Sequence, residues 1–199
     1  MAVLDLKAYE EKGHATVTGV FNAAEMEAVT EDIGRWGEEF LRELPASQRR
    51  WYLDGGVKAK EVLRKLDNPH HLRESVRSLA RDPEALITAW IAFDDATVEN
   101  GCMYFGEGTH LRPVMPQVTP PDEPFNLQIP ADAAAKAALT AAPVPKGGVS
   151  FHHGGVLHQS GPNHSQRWRR ACALHYVRND NAFVHPALPY DEKMFLKIT

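Results

Sequence analysis

The chain has 199 residues, of which 43% are hydrophobic and 24% charged, and its formal net charge is −4. This composition predicts a soluble single domain with a substantial core, and the mild acidity without a basic block excludes a typical nucleic-acid-binding protein. Charged residues interrupt the N-terminus, so we expect no signal peptide and no membrane span, and two cysteines without a disulfide framework fit a reducing cytoplasm.

The N-terminal region predicts a short helix, a strand and a long helix. Gly13 ends the first helix, and an alternating strand follows it. Asn22 is the predicted N-cap of the long helix, with Glu25 at the capping-box position, and one apolar face then continues until Pro45.

A polar loop and a second helical region are predicted next. We expect a turn at residues 54–56 and helical structure over residues 57–82. His70 and His71 lie at the start of a helix in this region, where we expect them on the surface.

The middle of the chain predicts two strands around a turn. Residues 87–93 are rich in β-forming side chains, residues 99–101 form a turn signal, and residues 102–105 form a second short strand. His110 follows these strands and is interpreted as a structural histidine.

Prolines dominate residues 113–146 and predict a loop-rich insert without regular strands. Residues 131–142 have a helical composition and predict one short helix. The loop-rich insert interrupts an otherwise β-type pattern after residue 86, and residues 178–199 are expected to pack outside the β-structure.

The C-terminal third contains two extended runs joined by a turn. Residues 149–158 are apolar and end at His158, residues 160–165 are turn formers, and residues 169–177 alternate. The alternation predicts that one face carries Arg169 and borders a cavity. We expect Ala171 and Ala173 on that face, and Cys172, Leu174 and Tyr176 packed against protein on the other.

His158 and Arg169 flank the turn and are expected to face one space. Neutral imidazole is a good ligand for iron, zinc or copper, and a guanidinium presents a planar fork to a carboxylate. The alternative interpretation is a structural core histidine and a surface cation.

The residue patterns of two stretches resemble those of the phytanoyl-CoA dioxygenase family, whose members are iron(II)- and 2-oxoglutarate-dependent oxygenases. In the C-terminal stretch the resemblance is carried by Gly148, His158, Gln159, Ser160, Gly161, Asn163 and Arg169. In the middle stretch it is carried by Trp90, Ala92, Asp95, Asn100, Gly101, Cys102, Gly108, Thr109 and His110.

This resemblance implies a role for four residues. His158 would be a metal ligand, and Arg169 would grip the distal carboxylate of 2-oxoglutarate with help from Ser160. Trp90 would line the cosubstrate pocket, although a plain core tryptophan is an equal alternative. The implied fold is a double-stranded β-helix, a jelly roll of two packed sheets with N-terminal helices on one side, so that His158 and Arg169 lie on different sheets. No further catalytic residue is assigned.

One departure from the family pattern bears on catalysis. The family places a His-x-Asp or His-x-Glu motif, which supplies two iron ligands, before the strand that carries Trp90, and no such motif occurs in this chain. Three explanations remain open: a degenerate family member, an internal segment missing from a longer enzyme, or replacement ligands. The replacement candidates are His70, His71 and Glu74, or His152 and His153; this is the least favoured explanation, because the sequence gives these histidines no strand-end position.

The leading functional hypothesis is hydroxylation of a small organic substrate with iron(II) and 2-oxoglutarate. The alternatives are a non-catalytic jelly roll that binds a small carboxylate or a protein partner, and a cupin-like protein that uses His152, His153 and His158 for another metal. We expect one domain over residues 1–199, mostly helical to residue 82 and with a jelly-roll core from residue 83 that lacks at least one strand. Unpaired sheet edges near residues 83–87 would favour self-association as a homo-oligomer.

Overall fold

The computed structural model describes residues 3–54, 62–63, 66, 73–77, 87–113, 115–118 and 128–177. The chain divides into two compact units. The first comprises residues 1–26 and 83–181, and the second comprises residues 27–82 and 182–199. The expectation of a single domain over residues 1–199 therefore stays a prediction.

The described residues form five helices and nine strands. The helices are α1 (Leu6–Lys12), α2 (Ala23–Glu43), α3 (Arg49–Tyr52), α4 (Glu74–Arg77) and α5 (Ala131–Ala134). The strands are β1 (His14–Val17), β2 (Leu53–Asp54), β3 (Val62–Leu63), β4 (Ile87–Ala92), β5 (Met103–Gly106), β6 (Thr140–Ala142), β7 (Val149–His153), β8 (Leu157–Ser160) and β9 (Ala171–Tyr176).

A four-stranded antiparallel sheet forms the larger layer of the first unit, with the order β1–β7–β4–β9. The register places Trp90 beside Ser150 and Ala173, and Thr88 beside His152 and His175. Cross-strand neighbours share a face, so these residues lie on the same side of the sheet.

A three-stranded sheet in the order β6–β5–β8 forms the smaller layer. Its Met103 and Phe105 pack with Trp90 and Ala92 of the large sheet in one buried cluster. The two sheets therefore face each other across an apolar core, as the predicted jelly roll requires. The predicted fold class is confirmed.

The local signals of the N-terminal region act as predicted. Gly13 caps α1 in the left-handed conformation, with φ of 83°. At the start of α2 the backbone N–H of Asn22 donates to Glu25 Oε2 at 2.8 Å, and the N–H of Glu25 donates to Asn22 Oδ1 at 3.0 Å. This reciprocal pair is the predicted capping box. Strand β1 joins the large sheet, so the N-terminal region contributes to the jelly roll as well as supplying helices.

Two predicted helices are wrong in part. The predicted helix over residues 57–82 contains strand β3, which pairs with β2, and α4 is the helical part that the structure describes. The predicted helix over residues 131–142 ends at Ala134, and β6 follows it within the insert that was expected to lack strands. Both errors come from helix-forming composition, which sheet pairing overrides.

The run at residues 149–158 is two strands rather than one. The backbone N–H of Val156 donates to the His153 carbonyl at 3.0 Å, and that of Gly155 donates to His153 Nδ1 at 3.0 Å. This turn carries the chain from β7 in the large sheet to β8 in the small one. As a result, His158 and Arg169 border strands of different sheets, as the fold predicted.

The second unit is described in α2, α3, α4 and the β2–β3 ribbon. Here the guanidinium of Arg73 and the hydroxyl of Ser75 both donate to the carboxylate of Asp32. The hydrogen bond from Arg73 is the main cause that lowers the pKa of Asp32 to about 2.

Four features of the sequence analysis lie outside the described residues. They are residues 55–56 of the predicted turn, the histidines His70 and His71, the segment 83–86 and the tail 178–199. In the described part of the chain, no helix is both long and apolar enough to span a membrane.

Candidate functional site

His158 lies on the inner face of the small sheet. Strand β8 pairs with β5, which places His158 beside Phe105 and Ser160 beside Met103. The imidazole is exposed, and its Nδ1 lies 3.0 Å from the Val156 carbonyl. A carbonyl only accepts, so Nδ1 carries the proton in this contact and the lone pair of Nε2 is left for a ligand. This is the arrangement that a metal-binding histidine needs.

Arg169 lies two residues before β9, with its guanidinium carbon 5.8 Å from the ring centroid of Trp90. The arginines around it are both paired. Arg170 makes two hydrogen bonds of 2.8 Å to the carboxylate of Asp94, and Arg167 binds Glu99 at 2.9 Å. Among the described residues, no hydrogen bond or ion pair engages the Arg169 guanidinium.

The Arg169 guanidinium, without a hydrogen-bond partner in the described part of the chain, belongs to a partly buried residue. Burial is the main cause that lowers the pKa of Arg169, and Cys102 opposes this shift. Arginine nevertheless stays protonated near neutral pH. A partly desolvated cation without a protein carboxylate favours an anionic ligand, because the ligand replaces lost hydration.

Ser160 and Trp90 border the same interior. Ser160 is exposed, and its hydroxyl makes a weak contact of 3.5 Å with the sulfur of Met103, so it can donate to a ligand. Trp90 is buried in the core cluster and carries the Arg169 guanidinium against its ring. Trp90 is therefore a core residue, and its role as a wall of the cosubstrate pocket stays a prediction.

The predicted alternation of β9 is confirmed. Cys172 and Leu174 are buried on the outer face of the large sheet, whereas Ala171, the cross-strand neighbour of Ala92, packs against the inner cluster. Ala173 is exposed on that inner face. The small side chain leaves room between the sheets close to Arg169.

Asn100 and Gly101 hold the loop that carries Arg169. The amide nitrogen of Asn100 donates to the carbonyls of Asp95 at 2.7 Å and Trp168 at 3.2 Å. Gly101 has φ of 89°, and a Cβ there would lie 2.4 Å from the Gly161 carbonyl oxygen. These two motif residues therefore position the β8–β9 loop rather than touching a ligand.

His152, one of the least favoured replacement ligands, lies close to His158. It lies on the inner face of β7, with 2% of its surface exposed, and its ring centroid is 4.9 Å from that of His158. Its Nδ1 is buried and has no hydrogen-bond partner among the described residues. Burial is the first cause that lowers the pKa of His152 to about 3. The nearby histidines His158, His175 and His14 add to this shift, and a hydrogen bond with the Ser150 backbone opposes it.

The alternation of β7 was the signal that could have found His152. Ser150 and His152 share one face, and Phe151 and His153 share the other. His153 thus lies on the outer face, where its ring is 5.4 Å from that of His110. His110 in turn donates to the Glu10 carbonyl at 3.0 Å, which agrees with its predicted structural role.

The proposed trio of His152, His153 and His158 is therefore not formed, because the sheet separates His153 from the other two. His14 is the cross-strand neighbour of His152, but its ring stacks on Phe105 at 4.2 Å. In the described part of the chain, no group of three His, Cys, Asp or Glu side chains could hold a metal ion. Both cysteines are buried and free.

Comparison with known proteins agrees with this geometry. The phytanoyl-CoA dioxygenase family model matches residues 67–171, which is more than half of the chain. Phytanoyl-CoA dioxygenase domain-containing protein 1 of Mus musculus is 39% identical over 92 residues, covering 44% of this chain and 32% of that protein. Phytanoyl-CoA dioxygenase of Arabidopsis thaliana is 28% identical over 99 residues, covering 50% and 35%. The match thus spans about a third of the length of these curated relatives.

Solved structures show the same fold at lower identity. AviO1 from Streptomyces viridochromogenes Tue57 superposes with a TM-score of 0.64 and 20% identity, over 95% of this chain and 100% of that chain. The epimerase SnoN, crystallised with Fe³⁺, α-ketoglutarate and nogalamycin RO, superposes with a TM-score of 0.60 and 19% identity, over 93% and 90%.

Proposed function

The chain belongs to the phytanoyl-CoA dioxygenase family, and we propose that its jelly roll binds 2-oxoglutarate as the cosubstrate of an iron(II)-dependent hydroxylation of a small organic substrate. The observation that carries this proposal is Arg169, whose partly buried guanidinium has no carboxylate partner among the described residues while its neighbours Arg167 and Arg170 both do. A small-molecule substrate and a cytoplasmic location are part of the same proposal.

The residues around Arg169 suit one end of a dicarboxylate. The planar guanidinium can donate two parallel hydrogen bonds to a carboxylate, which fixes its orientation as well as its position. The Ser160 hydroxyl offers a further donor, and the small side chain of Ala173 leaves room for the ligand. Trp90 supports the guanidinium from one side and excludes water there.

Iron(II) is the group that supplies the oxidation in this family when it is bound. His158 would hold it through Nε2, but three protein ligands are the usual requirement for such a site. The described residues do not provide three. They account for binding of the cosubstrate, and they do not account for a tightly held iron.

The same observation favours a second function of a different class. A jelly roll that binds a small carboxylate without chemistry needs Arg169 and Ser160 and needs no metal. The cupin-like alternative with His152, His153 and His158 is excluded, because His153 lies on the outer face of β7.

Two measurements on the purified chain separate these functions. Calorimetric titration with 2-oxoglutarate tests the binding that both functions share. Succinate formation with added iron(II), ascorbate and 2-oxoglutarate then tests chemistry. Binding with turnover supports the oxygenase, binding without turnover supports the carboxylate-binding module, and no binding contradicts both.

A further inference from the structure

We propose that His152 and His158 together form a two-imidazole site for a divalent transition metal such as Zn²⁺. His152 is not among the ligands that the family resemblance implies, so the donor set differs from the family's. The inference rests on the proposed function in taking the interior near Arg169 as the ligand-binding space. Its test uses the metal alone, so either proposal can fail without the other.

The distance between the two rings fits coordination of one ion. A bound zinc ion lies about 2.1 Å from an imidazole nitrogen and therefore about 3.2 Å from the ring centre, which places rings at adjacent coordination positions about 4.7 to 5.3 Å apart. The centroids of His152 and His158 are 4.9 Å apart, and the ring planes are inclined by 48°. The two strands, one in each sheet, thus hold the two ring centres at ligand spacing.

Both rings also have a ring nitrogen to offer. The Nδ1 of His158 is bound to the Val156 carbonyl, so its Nε2 is free to bind a metal. The Nδ1 of His152 is buried without a hydrogen-bond partner among the described residues. A buried polar atom without a partner is costly, and a bound ion would satisfy it.

The donor chemistry indicates which ion the pair prefers. Two neutral imidazoles without a carboxylate suit zinc, copper or nickel better than iron(II) or magnesium. The exposed side of His158 leaves the remaining coordination positions open to water or to an organic carboxylate. The pair would be a metal site with two protein ligands, and the described residues hold no three-ligand group.

Imidazole nitrogen resonances give the direct test. We expect one equivalent of Zn²⁺, without 2-oxoglutarate, to shift the ¹⁵N resonances of His152 and His158 together. Those of His153, on the other face of β7, should stay unchanged. A shift of only one of the two resonances, or of neither, would overturn the proposal.

Variants test the same claim through affinity. Competition with a chelator should show that His158→Ala, at an exposed position, and His152→Asn each weaken Zn²⁺ binding by more than about 100-fold. Even indirect partners of a metal ligand contribute 10- to 100-fold. The matched control His153→Asn should change the affinity by less than about 3-fold, within the context dependence of such values. Equal affinity in His158→Ala and the unmodified chain would refute the site even if His152→Asn fails to fold. Arg169→Lys should bind Zn²⁺ normally, which separates this result from failure of 2-oxoglutarate binding.

Discussion

The imidazole of His152 on the large sheet faces that of His158 on the small sheet, with ring centroids 4.9 Å apart. The backbone turn at residues 153–156 brings the two rings together, because it moves the chain from the large sheet to the small sheet within four residues. A histidine expected from the family motif is thereby placed against one that the motif does not include. The proposed site would combine Arg169 as an anion anchor with the His152–His158 pair as metal donors.

Gly101 should be indispensable for the loop that carries Arg169. Gly101→Ala forces a Cβ against the Gly161 carbonyl oxygen at positive φ, so we expect a loss of about 2 to 4 kcal/mol in unfolding free energy. Gly19→Ala is the matched control, because Gly19 also has positive φ but a Cβ at that position would meet nothing within 4 Å. It should cost about 1 kcal/mol. Equal losses in denaturant titrations would show that the contact with Gly161 does not matter.

The Asp94–Arg170 pair should make stability depend on acid pH. Burial raises the pKa of Asp94, but the hydrogen bonds and charge of Arg170 outweigh it, so the net pKa is lowered. The ionised form is therefore stabilised by folding. This contribution is complete above the ordinary carboxyl value of 3.8 and is lost as the pH falls through the lower folded value.

Asp94→Asn should accordingly cost about 1 to 2 kcal/mol at pH 7, and the difference from the unmodified chain should vanish in strong acid. Glu99→Gln, at a pair whose side chains are 55% and 64% exposed, is the control and should cost less than about 0.5 kcal/mol. A constant Asp94→Asn penalty from pH 7 to pH 2, measured by urea unfolding, would contradict this assignment.

Neighbouring residues of β9 should respond oppositely to the same substitution. Cys172→Phe overpacks the buried outer face and should destabilise the fold by about 1 to 3 kcal/mol. Ala173→Phe places the ring in the exposed inner space, so it should leave stability nearly unchanged and weaken 2-oxoglutarate binding. Thermal unfolding measures the stability of both variants, and calorimetry measures their affinity for 2-oxoglutarate. The reverse pattern would mean that the faces of β9 are assigned wrongly.

Turnover of 2-oxoglutarate should be far below that of an intact family member. Iron(II) stands below zinc and copper in affinity for such sites, so two imidazoles leave it free to exchange with solvent. The assay is succinate formation by the purified chain with iron(II) and ascorbate, beside His158→Ala. Substantial turnover that disappears in His158→Ala would refute this prediction. It would direct mutagenesis to His70, His71 and Glu74.

Local signals explain why much of the fold was predictable. The capping box at Asn22 and Glu25, the left-handed Gly13 and the turn at Gly101 each depend on residues close in sequence. The alternation beyond Arg169 likewise sets the two faces of β9 by itself. In these places sequence neighbours determine the structure, and the prediction is confirmed.

Long-range pairing explains what was missed. Nothing local in Val62–Leu63 or Thr140–Ala142 outweighs helical composition, and these strands exist because partners pair with them. The run at residues 149–158 has no periodicity that shows where one sheet ends and the other begins. Alternation along β7 puts His152 on the face of Ser150, but its closeness to His158 follows only from the way that β7 and β8 face each other.

Calorimetric titration of 2-oxoglutarate into the unmodified chain and Arg169→Lys tests the central claim most directly. The ammonium of lysine is a point charge and cannot reproduce the two parallel bonds of the guanidinium, so we expect binding to weaken by about 10-fold or more. Arg167→Lys is the matched control, since Arg167 already pairs with Glu99, and it should bind like the unmodified chain. Equal affinity of the unmodified chain and Arg169→Lys, or no binding to either, would contradict the account.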